Sequence, residues 1–400
     1  MLLDVLSFVL TGLAALLLVP VVLLLVQVVT AVAPGRRKGE PPLPVARRPR
    51  IAVLVPAHNE AGGIAAALQT IRRQLGPHDR LLVVADNCTD STGQVAMNAG
   101  AEVVERQNVS ERGKGYALDF GIRHLESSPP DVVVMIDADC ELQVGSLDRL
   151  GNLCARVARP VQALYLMHSP PGAGLKTRIA AFAWAVRNHV RPLGYHRLGL
   201  PCQLMGTGMA FPWELIRDAP LASGHLVEDM QLGLDMAAIG APPLFCPQAL
   251  VTSVFPTNAQ GLADQRTRWE RGHVGVITEA PRALLRALSQ RRPALAAMVL
   301  DLSVPPLTML VLVLVLQVVI DAIAYAVSGV RTPLLLALIA LALVGVAIGL
   351  AWSRFGQKIV SLGELLAVPL YVVAKIPLYA RFFGRKEWHW VRARRDKGDD

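Results

Sequence analysis

Two carboxylates one residue apart close an apolar run at 131–141, DVVVMIDADCE. Val132, Val133, Val134, Met135 and Ile136 have the two-sided hydrophobicity of a central parallel strand. Asp137 and Asp139 would stand at its carboxyl end, where ligands gather in open α/β sheets. Two like charges so close are costly unless a cation neutralises them. A divalent ion of the Mg2+ kind that carries a polyphosphate satisfies this, because such ions take one or two carboxylates plus substrate oxygens. Asp is also a common turn residue, so the pair alone leaves a polar turn open.

Three further stretches carry candidate chemistry. Gly206, Thr207 and Gly208 sit in LMGTGMAFPW, an apolar context. They read either as a bulge or as a loop that lets a large polar ligand approach the backbone. Glu228 and Asp229 in VEDM open a helix expected over 229–239. Acids there suit the helix dipole, and a catalytic base would occupy the same place. Gln265, Arg268 and Trp269 in QRTRWER lie at i, i+3 and i+4, on one helical face. They offer a hydrogen-bonding arm, an anion clamp and a flat platform for a sugar ring; an amphipathic helix near a membrane would look similar.

The elements that must position these residues alternate. Strands are expected at 50–56, 80–85, 102–105 and 131–136, with helices at 61–75, 114–125 and from about 144. That order implies a parallel, doubly wound α/β sheet. Three strand ends are polar, PAHNE at 56–60, DNCTD at 86–90 and DADC at 137–140, and all fall on one edge. Lys114 in RGKGYA lacks the spacing and the following Ser or Thr of a phosphate-binding P-loop. No Gly-x-Gly-x-x-Gly follows the first strand, which excludes a dinucleotide dehydrogenase. A nucleotide held by acids and a metal is the remaining pattern.

The chain of 400 residues is 53% hydrophobic, yet it carries 40 Lys and Arg and 31 Asp and Glu. Charges and apolar runs occupy different parts. Residues 1–33 read as an N-terminal membrane anchor, 34–49 as a Pro- and Arg-rich linker, and 50–280 as a globular catalytic domain. Residues 281–383 read as a membrane region with two spans, about 299–327 and 333–352. A third stretch at 359–383 is interrupted by Glu364, Pro369, Lys375 and Pro377 and is expected to be interfacial or re-entrant. Residues 384–400 form a basic tail. Arg36, Arg37, Lys38, Arg47, Arg48 and Arg50 follow the first apolar run, which places the domain on the cytoplasmic side of the inner membrane and the chain in the lipid bilayer as a multi-pass protein. The net charge of +9 is therefore a topology signal, with no nucleic acid as partner. Five cysteines without paired spacing suit a reduced compartment.

DNCTD, DAD, VED and QRTRW, in this order and spacing, resemble family 2 glycosyltransferases. The similarity is to the membrane-bound synthases of cellulose, chitin, hyaluronan and poly-N-acetylglucosamine type. The resemblance covers about 50–272 and implies a GT-A fold, a UDP-sugar donor and Mg2+ or Mn2+. It further implies that Pro56, Glu60 and Asp86 hold the nucleoside and that Lys114 approaches the nucleotide. Asp137 and Asp139 would hold donor and metal, and Asp229 would be the base, with Glu228 as runner-up. Gln265, Arg268 and Trp269 would line the diphosphate and acceptor. The implied reaction is inverting transfer to a growing polysaccharide or a lipid-linked glycan. The few C-terminal spans depart from cellulose synthases, and residues 388–394 match the family's closing motif only loosely. Single addition to a polyprenyl-linked acceptor, or an inactive partner of a polysaccharide secretion complex, are the alternatives. Secretion partner proteins would be expected for a polymer.

Overall fold

The computed structural model describes residues 2–34, 47–223, 227–256 and 259–367. Side chains of residues 2, 3, 259–271, 273 and 274 lie outside that description. The chain divides into two compact units, one containing Arg36–Pro170 and Leu200–Gly272 and the other Met1–Gly35, Pro171–Gly199 and His273–Glu387.

The first unit is built on Ile51–Ala57 (β1), Arg80–Asp86 (β2), Glu102–Arg106 (β3), Val132–Met135 (β4), Glu141–Leu142 (β5), Val161–His168 (β6), Met209–Pro212 (β7) and Leu244–Val254 (β8). They form one sheet in the order β3-β2-β1-β4-β7-β6-β8-β5. The four strands read from sequence, β3-β2-β1-β4, are parallel throughout. Beyond β4 the sheet is mixed: β7 runs antiparallel to both β4 and β6, β6 and β8 are parallel, and β5 is antiparallel to β8. The expected doubly wound parallel sheet is thus one half of a mixed α/β sheet. Every residue of β4 is buried, as its unbroken apolar run requires.

The flanking helices follow their apolar spacing. Ile64–Arg72 buries Ile64, Ala67, Leu68 and Ile71, one helical stripe. It is shorter than the 61–75 expected, because Gly62 and Gly63 do not extend it. Lys114–Leu125 has the expected bounds and buries Ala117, Leu118, Ile122 and Leu125. With Leu54, Leu82, Val84, Met135 and Phe211 these side chains make one core on that face of the sheet. Burying each large one contributes about 2 kcal/mol.

Among the described residues, the second unit contains three helices long and apolar enough to cross a membrane, Asp4–Val32, Leu307–Ser328 and Thr332–Gly356. Thr332–Ala351 buries Ala337, Ala340, Val344, Ala347 and Ala351, a small-residue stripe that allows close helix approach. It shares a core with Val21, Leu24 and Val28. The apolar stretch expected at 299–327 is two helices, Pro293–Leu302 and Leu307–Ser328. Pro305 and Pro306 prevent a continuous helix across the break.

Pro171–Gly199, inside the span read from sequence as one domain, clusters with these membrane helices. It folds as Leu175–Ala185, a π-helical turn Val186–Val190, and Arg191–Arg197. The charges interrupting the apolar sequence have partners in this unit. Arg191 Nη2 donates to Asp301 Oδ1 at 2.7 Å and to its carbonyl at 2.6 Å, and Gln27 Nε2 donates to the same Oδ1 at 2.6 Å. Gln317 Nε2 reaches Asp321 Oδ1 at 3.0 Å, and Arg178 pairs with Glu364. Each buried carboxylate is thereby compensated. Of the third expected stretch, Leu362–Leu366 is helical behind a Ser361/Glu364 capping box. Pro369, Lys375 and Pro377, and the tail 384–400, lie outside the described residues.

Candidate active site

Two loop clusters form at the carboxyl ends of β1, β2 and β4. In the first, the backbone turns that follow β1 and β2 are stitched together by side chains. Asn59 Oδ1 accepts from Thr89 N at 2.7 Å, Thr92 Oγ1 accepts from Glu60 N at 2.7 Å, and Asp90 Oδ2 accepts from Ala61 N at 3.1 Å. Asn59 and Asn87 take the positive φ values, 54° and 51°, that Asn tolerates best after Gly. Glu60 and Asp86 therefore lie on the two turns that these bonds join, while Pro56 lies in the β1–β2 ladder opposite Val84. Asp86 is buried. Its Oδ1 accepts from Arg106 Nη1 at 2.8 Å and from Asn87 Nδ2 at 3.0 Å. Arg106 also donates to the Glu111 carbonyl at 2.8 Å and lies over the Tyr116 ring. Sequence reasoning passed over Arg106; a lone cation closing the strand EVVER was the available signal.

The second cluster gathers Lys114, Asp137, Asp139, Gly206, Thr207 and Asp229. The Lys114 ammonium lies 2.5 Å from Asp137 Oδ1 and donates to the Gly206 carbonyl at 2.6 Å. Thr207 Oγ1 accepts from Asp137 N at 3.0 Å. A Cβ placed on Gly206 would lie 3.3 Å from Asp229 Oδ2 and 3.6 Å from Lys114 Nζ. Gly206 thus sits between the acid at the end of β4 and the acid opening the helix Glu228–Ala238, which starts one residue before the expected 229–239. Gly206 and Gly208 have φ of 86° and 67°, and a Cβ on Gly208 would approach Ala163 Cβ to 2.8 Å, so this loop requires glycine. Gly115 lets the Lys114 helix approach the chain leading to Glu228: a Cβ there would stand 2.4 Å from the Leu221 carbonyl oxygen.

Gln162 was missed, although it is the only polar residue in the apolar start of β6. It is fully buried; its Nε2 donates to the Thr207 carbonyl at 2.9 Å and its Oε1 accepts from Met205 N at 2.8 Å. It therefore braces both sides of Gly206. Gln265, Arg268 and Trp269 lie on the helix Ala259–Ser289, where their spacing puts them on one face; their side chains lie outside the described residues.

The electrostatics are those of a crowded acidic site. Burial pulls the Lys114 ammonium down, but Asp137, Glu228 and Asp229 outweigh it and hold it above its ordinary value. Burial pushes the Asp137 carboxyl up; Lys114 opposes this and Asp139 adds to it, with a net rise. Burial, then the charge of Asp229, pushes Glu228 up to about 7. Asp137, Asp139 and Cys140 each offer a ligand atom within 4.8 Å of the others. Two oxygen ligands at a strand end fit a hard divalent cation, and the Cys140 thiol, buried and pushed up by that burial, is the poorest donor of the three.

The Glu228 shift has a stability consequence. Between its ordinary 4.5 and about 7 the folded chain keeps a proton that the unfolded chain releases. Stability therefore falls as pH rises through that window. In metal-free buffer, E228Q should melt above wild type at pH 8, with the gap closing towards pH 4.5. A gap independent of pH would contradict the assignment.

Residues 49–272 match the family described as glycosyltransferase like family 2. The chain belongs to that family. Among relatives of this glycosyltransferase is the low-salt glycan biosynthesis hexosyltransferase Agl6 of Haloferax volcanii, 33% identical over 107 residues, which cover 26% of this chain and 24% of that protein. Another is "Probable glycosyltransferase YdaM" of Bacillus subtilis, 25% identical over 253 residues, 57% of this chain and 56% of that protein. The chain thus spans about a quarter and about half of their lengths. Among solved structures, a Pyrobaculum calidifontis mannosyltransferase in complex with GDP-Man and Mn2+ superposes with a TM-score of 0.51 at 18% identity, covering 88% of this chain and 99% of that one. The shared fold is GT-A.

Proposed function

We propose that this glycosyltransferase transfers a sugar from a UDP-sugar, with inversion and with Mg2+ or Mn2+, to a growing polysaccharide or lipid-linked glycan at the cytoplasmic face of the inner membrane. The observation that carries the reading is the bridge from Asp137 through Lys114 and Gly206 to Asp229. Through it a candidate cation ligand, Asp137, and a candidate base, Asp229, are both linked to one glycine loop. The solved mannosyltransferase that shares the fold holds a nucleotide sugar and Mn2+. Three helices that could cross a membrane, with the basic run 36–50 after the first, support the membrane placement.

In this reading Asp86 and Glu60 hold the nucleoside, and Asp137 and Asp139 hold the cation. A bound divalent cation supplies positive charge to the leaving diphosphate. Asp229 accepts the proton of the acceptor hydroxyl as that oxygen attacks the anomeric carbon in line. Because the acceptor attacks directly, one base suffices and no covalent sugar–enzyme bond is needed. Gly206 and Thr207 expose backbone to the donor, and the QRTRW motif on the helix Ala259–Ser289 assigns Gln265, Arg268 and Trp269 to the diphosphate and acceptor. The three candidate spans among the described residues also suit a second reading, one sugar added per lipid-linked acceptor.

Membranes containing the protein, incubated with labelled UDP-sugars and with GDP-mannose in parallel, test this directly. A UDP-sugar should label either a polymer ladder or a single-sugar lipid product, and size separates the two readings. Label incorporated from GDP-mannose alone would overturn the UDP assignment, and none from any donor would overturn the reading as a whole.

A further inference from the structure

We propose that Lys114 is a tethered counter-ion that a divalent cation displaces from Asp137, and that this exchange makes cation and nucleoside diphosphate bind cooperatively. The inference rests on the reading of Asp137 and Asp139 as cation ligands. The Lys114 ammonium already occupies Asp137 Oδ1, at 2.5 Å. A cation shared by Asp137 and Asp139 must approach the same carboxylate, and two positive charges cannot share it without repulsion.

The ammonium is poorly placed to go without an anion. Its side chain is only 21% exposed, and a desolvated charge is costly unless paired. A cation that binds alone therefore displaces Lys114 from its carboxylate partner and leaves it dependent on the more distant Glu228 and Asp229. A cation that arrives with a diphosphate brings the replacement anion with it. The geometry suits such an exchange. Lys114 keeps a second bond, 2.6 Å to the Gly206 carbonyl, on a loop that Gln162 and Thr207 hold in place. The ammonium can pivot on that carbonyl and change only its anionic partner. Lys114 is also the first residue of the helix Lys114–Leu125, whose amino end favours a phosphate. Each ligand thus removes a cost the other would meet, and the coupling is reciprocal.

The test uses the full chain in detergent, with protein-bound Mn2+ counted by equilibrium dialysis with and without saturating UDP, and the Mn2+ held by UDP itself subtracted from a protein-free chamber. UDP binding is titrated with and without Mn2+. Wild type should bind Mn2+ at least about tenfold more tightly with UDP, and UDP more tightly with Mn2+ by the same factor. K114M should bind Mn2+ alone more tightly than wild type, and its cooperativity factor should fall several-fold below that of wild type, to the part that the cation's own bond to the diphosphate supplies. K114R, which keeps the charge, should keep most of the factor. If K114M is unfolded in chelator, Mn2+ alone should restore its melting transition; a K114M that Mn2+ does not restore contradicts the exchange. Equal Mn2+ affinity of wild type with and without UDP, or an unchanged factor in K114M, overturns the counter-ion proposal while leaving the cation site standing. No Mn2+ bound by any form, even with UDP, overturns the cation site itself and the proposal with it.

Discussion

Asp139→Asn is expected to abolish sugar transfer, by about a thousandfold or more, in a protein that is folded and membrane-inserted. Asp139 lies two residues beyond Asp137 at the end of β4, and its carboxylate is one of the three ligand atoms grouped within 4.8 Å. Loss of a cation ligand removes several kcal/mol of stabilisation from the leaving diphosphate, and each 1.4 kcal/mol or so is tenfold in rate. The fold should not suffer. Without a cation, Asp139 raises the cost of ionising Asp137, so the amide relieves repulsion. Melting in EDTA should place the variant at or above wild type, and Mn2+ should raise the melting temperature of wild type only. A variant that loses transfer together with its melting transition would show that Asp139 serves the fold instead.

Asp229→Asn is expected to lower the chemical step by roughly two to four orders of magnitude while UDP affinity changes little. Asp229 lies in the first turn of its helix, beside Gly206, and is assigned to the acceptor side in the proposed arrangement. Single-turnover rates with preformed donor complex separate binding from chemistry. A collapse of UDP affinity in parallel with rate would move Asp229 to the donor side and bring Glu228 forward as the base.

The parts of this site that were legible in the sequence are those fixed by local chemistry. The run Val132 to Ile136 suits a buried strand, and the strand Val132–Met135 does put the two acids just beyond a strand end. The helix Lys114–Leu125 was readable because Gly113 closes the preceding loop and an apolar stripe begins at once. Pairing across the sheet was not readable. β7 inserts antiparallel between β4 and β6, with about 70 residues between it and β4, and nothing local to Met209–Pro212 specifies that neighbour. The role of Gln162 depends on such a long-range neighbour, because it holds Met205 and Thr207 from another strand; Arg106 acts nearer in sequence, on Asp86 of the adjacent strand and on Glu111. The segment Pro171–Gly199 was silent for a related reason. Its apolar face is matched by helices distant in sequence, and Arg191 looks like a surface charge until Asp301 and Gln27 are placed around it.

Cation dependence is measured most directly by transfer from labelled UDP-sugar in membranes treated with excess EDTA. With Asp137 and Asp139 as the candidate carboxylate ligands among the described residues, transfer should fall to background in chelator and return on adding Mn2+ or Mg2+ beyond the chelator. Wild-type turnover that continues undiminished in excess EDTA would contradict a catalytic cation at the end of β4.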